Sequence, residues 1–277
     1  MPIDDYMSDI INYLELLKRD YEKAIISGGE EEVHALIRSK KLINYVHEFI
    51  KSEFIRYGIN PNKIYPHLGE THPELYMAGF LKKKSQDISI LAGEPTPEVI
   101  SEGVLIGQTD KIGKILLNES ISVNIRSQLS SILKNFDTLY ERTFAEALNL
   151  HLRVPKLIMG EVYLIPLVAY DSNKIKKRQI GFKEKLPLKY IPAFQKINRR
   201  DSADRDEYKY EQVCLLIVDF RDNPPTIINN VQELVEREII DKEEAAGLSM
   251  EGLTIDNFVK DVLELYKKRH GSLQQLK

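Results

Sequence analysis

Cysteine occurs once in this chain, at Cys214. A single thiol excludes an intrachain disulfide framework and fits a reducing compartment. Its neighbours in VCLLIV are all apolar, so Cys214 reads as a small buried core residue. No apolar run approaches the roughly 20 residues that a membrane span needs. The opening stretch, MPIDDYMSDI, is acidic and lacks the n-region and h-region of a signal peptide. Together these absences predict a cytoplasmic protein. Also missing are a Walker A motif, a GxGxxG after a strand, and a GxSxG, so nucleotide-fold enzymes and serine hydrolases have no footing.

Net charge is small as well, −3 over 277 residues, but it is unevenly spread. Between residues 174 and 200 there are ten Lys/Arg against one acid, Glu184, a local net of +9 that leaves −12 on the rest. A cluster of this kind is either a solvated basic loop or an electrostatic footprint for a polyanion.

Hydrophobic periodicity divides the chain into three regions. Residues 4–27 repeat apolar side chains at helical spacing until Gly28-Gly29, and 30–57 read as a second helix stopped by Gly58. The middle turns to strands. DISIL (87–91) is a short one, and GVLIGQTDKIGKILL reads as strand, turn around Asp110, and strand. ISVNI follows, then a helix over about 128–152, a long apolar strand over 156–170, and QVCLLIVDF (212–220). Continuous apolar strands need cover on both faces, which predicts a mixed α/β sheet. Helices return from about residue 229. The expected divisions are a helical region at 1–58, an α/β core at 59–228 and a helical region at 229–277.

ISVNIRSQ alternates Ile121, Val123 and Ile125 with Ser122, Asn124 and Arg126. A strand with that pattern has one greasy and one polar face. In the helix after it, Leu129, Ile132, Phe136, Leu139, Tyr140, Ala147 and Leu150 share one sector. Lys134, Asp137 and Glu141 lie opposite and suit a solvated face. Glu146 falls at the border of the apolar sector with Asn135 and Arg142, so its carboxylate is expected to be partly shielded and directed at the polar edge of the strand.

Asp87, before its strand and after three lysines, supplies another acid. Mg²⁺ takes hard oxygen ligands, commonly one or two carboxylates with phosphate and water. Phosphodiester hydrolysis uses such a metal to activate water and neutralise charge on the phosphate. Arg126 continues the polar face and suits a phosphate. Other acids have plainer readings: Asp110 in a turn, Glu119 as an alternative ligand, and Glu161, which interrupts an apolar strand and requires a partner if buried. His67 and His72 in HLGETH lack the spacing of a helical zinc site.

The order Gln86-Asp87-strand, hairpin, Ser122-Val123-Asn124, acid-bearing helix and long strand resembles the PD-(D/E)xK nuclease core. The wording of ISVNIRSQLSSILKNFDTLYERTFAEALNLHLRVPKLIMGEVYLIP is similar to a segment of type II restriction endonucleases, over roughly residues 72–170. The resemblance implies a PD-(D/E)xK-like mixed central sheet flanked by helices, with helical N- and C-terminal additions, and Mg²⁺-dependent cleavage of double-stranded DNA. Asp87 and Glu146 would hold metal, Ser122 and Asn124 would match the (D/E)xK pair, and Lys134 or Arg126 would replace the missing lysine. Serine in the pair with the acid moved to the helix resembles the branch that recognises CCGG-containing sites. The resemblance also implies a homodimer and a cognate DNA methyltransferase. The 174–209 segment would contact the duplex, through Lys176, Lys177, Arg178, Arg199 and Arg200. Two departures stand out: Gln86 for proline, expected to matter little, and Asn124 for lysine. If no other cation serves, the alternative is a non-catalytic DNA-binding protein on a degenerate nuclease fold. An interaction protein with an incidental basic segment is a third possibility; it predicts no DNA affinity at moderate salt.

Overall fold

The computed structural model describes residues 3–130, 132 and 136–277, with side chains from residue 10 onward. Three helices open the chain: α1 (Ile3–Gly28), α2 (Glu30–Arg38) and α3 (Lys41–Arg56). The expected single helix over 30–57 is broken at Ser39-Lys40, where Lys40 takes φ 60. A left-handed residue cannot continue a right-handed helix, so α3 starts in a new direction.

Next come β1 (Ile64–Tyr65), β2 (Leu75–Ala78), β3 (Lys83–Gln86), β4 (Ile88–Ile90), β5 (Glu98–Val99), β6 (Thr109–Asp110) and α4 (Lys114–Asn118). GVLIGQTDKIGKILL is therefore not the expected strand pair. Its centre is turns with a two-residue strand, and KILLN winds into α4. Val104, Ile106 and Ile115 of this stretch are exposed, so its apolar pattern marks no buried strand face.

The central run is β7 (Ile121–Ser127), α5 (Phe136–His151), β8 (Ile158–Pro166), β9 (Val168–Tyr170), α6 (Ser172–Lys176), β10 (Phe182–Lys185), α7 (Tyr190–Lys196), β11 (Gln212–Asp219) and β12 (Thr226–Ile228). The chain closes with α8 (Val231–Glu236), α9 (Lys242–Ala245) and α10 (Phe258–His270). Helix α5 starts later than the periodicity suggested; among the residues before it, Lys134 and Asn135 lie outside the described set.

Six strands form one mixed sheet in the order β1-β4-β7-β8-β11-β12. The central three run parallel, in register Asn124↔Glu161 and Val213↔Glu161, and the outer strands are antiparallel. Parallel strands need helices on both faces, and they have them. Ile121, Val123, Ile125, Val162, Leu164 and Cys214 pack with α1, α3 and α10. Met159, Tyr163, Ile165, Val213 and Leu215 face the side of α5 and α7. Gly160 in β8 is required by this packing, since a Cβ there would sit 2.8 Å from the Phe258 ring.

No helix among the described residues is long and apolar enough to cross a membrane.

Candidate active site

The polar residues of β7 do not face water. Ser122 is fully buried and Asn124 is 2% exposed, both on the α5 side of the sheet. Their neighbours follow from register. Ser122 lies opposite Ser89 on β4, and two residues further, just before β4, the chain brings Asp87 to Asn124, with the Ile125 N–H donating to Asp87 Oδ2 at 2.9 Å. Asn124 is paired on its other side with Glu161 of β8. Asp87, Asn124 and Glu161 thus form a row across the sheet.

Helix α5 lays Glu146 over this row. Its Oε1 accepts from Gln86 Nε2 at 3.1 Å, and Oε2 meets Arg126 at 2.7 Å and Lys84 Nζ at 3.1 Å. Gln86 turns its carbonyl to Ser122, whose hydroxyl donates at 2.5 Å. Gln86, expected to matter little, is a buried amide that ties the Ser122 strand to the Glu146 helix. Ser122 contacts Gln86 and no carboxylate, so it supports the site instead of lining it.

Arg126 is the hub. Its Nη1 donates to Glu161 Oε1 at 2.7 Å and to Thr143 Oγ1 at 2.8 Å, while Nη2 reaches Glu146. Burial works against its charge, but Glu161, Tyr210 and Glu146 hold the guanidinium firmly protonated. Burial pushes the Glu161 carboxyl up to about 8, with Glu146 and Asp87 adding to the rise against the pull of Arg126. Asp87 is also raised by burial, less so because the Ile125 N–H favours its charged form.

Asn149 sets the position of β3 from the far end of α5. Its Oδ1 accepts from the N–H groups of Leu81 and Lys82, and its Nδ2 donates to Lys82 O. Gly79 permits this approach, since a Cβ would come within 2.3 Å of the Asn149 amide. The turn delivers Lys84, Gln86 and Asp87 to the sheet.

Asp87, Ser122, Asn124, Arg126 and Glu146 are therefore brought together, and Lys134 lies outside the described residues. Sequence reasoning passed over Lys84 and Thr143 and gave Gln86 too little weight. It flagged Glu161 correctly as an acid in need of a partner. The basic segment is not one surface. Lys176, Lys177 and Arg178 are exposed at the end of α6, beside the α1–α2 junction, where Lys176 Nζ is 3.7 Å from Glu30. Arg199 is exposed elsewhere, 3.5 Å from Glu251.

Arg200 requires correction as a duplex contact. It is fully buried and donates to the carbonyls of Pro155, Ala203 and Arg205 and to Glu211. A guanidinium so enclosed holds the fold and has nothing left to offer a base edge. Asp110 likewise anchors structure, with Arg153 at 2.7 Å.

The donors around Asn124 are hard oxygens of the kind Mg²⁺ accepts. As they stand, no three His, Cys, Asp or Glu side chains among the described residues are grouped to hold a metal. Asp87 with either glutamate would supply the one or two carboxylates that Mg²⁺ takes when water and phosphate complete its shell. No family pattern, curated protein or solved structure matches the chain.

Proposed function

We propose that this protein is a Mg²⁺-dependent, site-specific DNA endonuclease of the type II restriction class, built on a PD-(D/E)xK-like core. The observation that carries the reading is the convergence of Asp87, Asn124, Glu146 and Glu161 about Arg126 on central strands of a mixed sheet. Acids on adjacent strands, a helix-borne carboxylate and cations at the mouth are what phosphodiester hydrolysis requires.

In this reading Asp87 and Glu146 hold the metal. When bound, Mg²⁺ supplies charge neutralisation at the phosphate and an activated water. Asn124 and Ser122 keep the strand face polar, and Gln86 fixes Glu146 against β7. Lys84, one-third exposed and 3.1 Å from Glu146, stands with Arg126 as a replacement for the motif lysine. Exposed Lys176, Lys177, Arg178 and Arg199 would add salt-dependent attraction to the duplex. A homodimer suits a symmetric site, and a partner methyltransferase would protect host DNA.

The test is digestion of unmethylated phage DNA with purified protein, with Mg²⁺ and with chelator. Discrete fragments only with Mg²⁺, lost in Asp87→Ala while DNA binding persists, are expected. Intact DNA in both lanes, with binding confirmed in the same buffer, would instead favour a non-catalytic DNA-binding protein. Asn124 in the lysine position is what speaks for that second reading.

A further inference from the structure

Two buried polar atoms at the centre of this site have no hydrogen-bond partner among the described residues: Asn124 Nδ2 and Glu161 Oε2. Asn124 is 2% exposed and Glu161 fully buried. An orphaned buried group loses its hydration and gains nothing in return, so such atoms are uncommon unless something else satisfies them. Here the two lie on paired residues of adjacent strands, with Asp87 just before the next.

Glu161 is half engaged. Arg126 takes Oε1 and leaves Oε2 open, whereas both oxygens of Glu146 are occupied, by Gln86 on one side and by Arg126 and Lys84 on the other. The open ligand positions thus belong to Glu161 and Asp87. Between the two glutamates stands a guanidinium, a fixed positive charge where a cation would otherwise sit.

We propose that Asp87 and Glu161 form a divalent-cation site that Arg126 closes as an internal cation, metal and guanidinium competing for Glu161, while the unpartnered Asn124 Nδ2 donor beside it is left for an acceptor such as a phosphate oxygen. This rests on the nuclease reading for its purpose, and it gives Glu161 the ligand role that the nuclease reading gave Glu146, whose oxygens are both engaged. Carboxylate oxygens select a hard ion such as Mg²⁺ or Mn²⁺. The exclusion is electrostatic: at short range in a buried site, a guanidinium and a divalent ion repel strongly, so one leaves as the other arrives. A guanidinium released from Glu161 is then free to pair with a phosphate oxygen. Metal occupancy and readiness to grip the backbone are thereby coupled through one side chain.

Mn²⁺ binding to the full chain without DNA, followed by electron paramagnetic resonance, tests this apart from catalysis. Glu161→Gln and Asp87→Asn should each weaken Mn²⁺ binding about tenfold or more, and Arg126→Met should tighten it. Wild-type affinity in Glu161→Gln overturns the ligand assignment. Unchanged or weaker binding in Arg126→Met overturns the competition.

A second readout does not depend on how Glu161→Gln folds. The chain has no tryptophan, so Tb³⁺ emission must be sensitised by tyrosine, and Tyr163 and Tyr210 are both buried beside Glu161 and Arg126. The double variant Tyr163→Phe/Tyr210→Phe should lose most of that emission and keep its Mn²⁺ affinity. Emission equal to wild type places the ion elsewhere and overturns the proposal. DNA cleavage with Glu161-independent metal binding would sink this inference alone. Glu161-dependent metal binding without cleavage would sink the nuclease reading alone.

Discussion

Glu161 and Glu211 both face arginine from fully buried positions and have opposite fates. Glu211 receives Arg200 at 3.0 Å and Arg269 on Oε1, and on Oε2 the Met159 N–H at 2.7 Å and His151 at 3.3 Å. Burial alone would raise its carboxyl, but His151, Arg269 and Arg200 bring it down to about 2. Glu161 has one arginine, shared with Glu146, an empty oxygen, and a carboxyl pushed up to about 8 by burial and its acidic neighbours. Both are fully buried, so depth does not separate them; completeness of pairing does. A saturated cluster pins β8, β11 and α10 together. An unsaturated one leaves capacity for a ligand.

Glu211→Gln should produce the largest effect. It strands Arg200 and Arg269 beside a neutral amide, and breaking a buried pair costs about 3–5 kcal/mol; urea unfolding at neutral pH would measure the loss. Acid should find the same cluster. Because the folded Glu211 lies below its unfolded range, its contribution is present above about pH 4.5 and is lost as pH falls toward 2.

Glu161→Gln should be milder, about 1–3 kcal/mol, because only one of its oxygens is engaged and Arg126 keeps Glu146 as a partner. The sign of its pH dependence is opposite to that of Glu211. Between about pH 4.5 and 8 the unfolded chain releases the Glu161 proton while the fold retains it, so wild-type stability drains as pH rises. Glu161→Gln should lack that portion of the slope, read as the difference in urea midpoints at pH 5 and pH 8. An equal slope in both proteins would place the two glutamates in one class.

Asn149→Ala sharpens the comparison from the side. Removing the clamp on the β2–β3 turn should cost about 1 kcal/mol by releasing the Leu81 and Lys82 backbone groups it holds. It should loosen β3 in hydrogen exchange without disturbing Glu211. The smallest effect belongs to Arg199→Ala, whose exposed pairing with Glu251 at 3.5 Å should be worth less than about 1 kcal/mol in thermal melts.

The legible and illegible parts divide along physical lines. ISVNI, the 156–170 run and QVCLLIVDF were readable because a strand buried on both faces has to be apolar wherever no polar partner awaits it. Glu146 was readable from its place at the edge of the apolar sector of α5. GVLIGQTDKIGKILL misled because its apolar residues include exposed ones, and alternation cannot distinguish a buried strand face from a turn with exposed valine and isoleucine. The basic segment misled for another reason. Neighbours in sequence were treated as neighbours in space, yet Lys176 meets Glu30, Arg199 meets Glu251, and Arg200 turns inward to Glu211.

By itself the sequence determined the apolar strands of a mixed sheet, the helical flanks, and the presence of polar side chains on one face of β7, since periodicity is a local property of the chain. Only the tertiary structure decided which polar groups meet. Register puts Asn124 between Asp87 and Glu161, the α5 crossover brings Glu146 down onto Arg126, and Gln86 joins them. Pairing of buried charge is decided by distances between residues that lie 20, 35 and 60 positions apart. No local pattern encodes those distances.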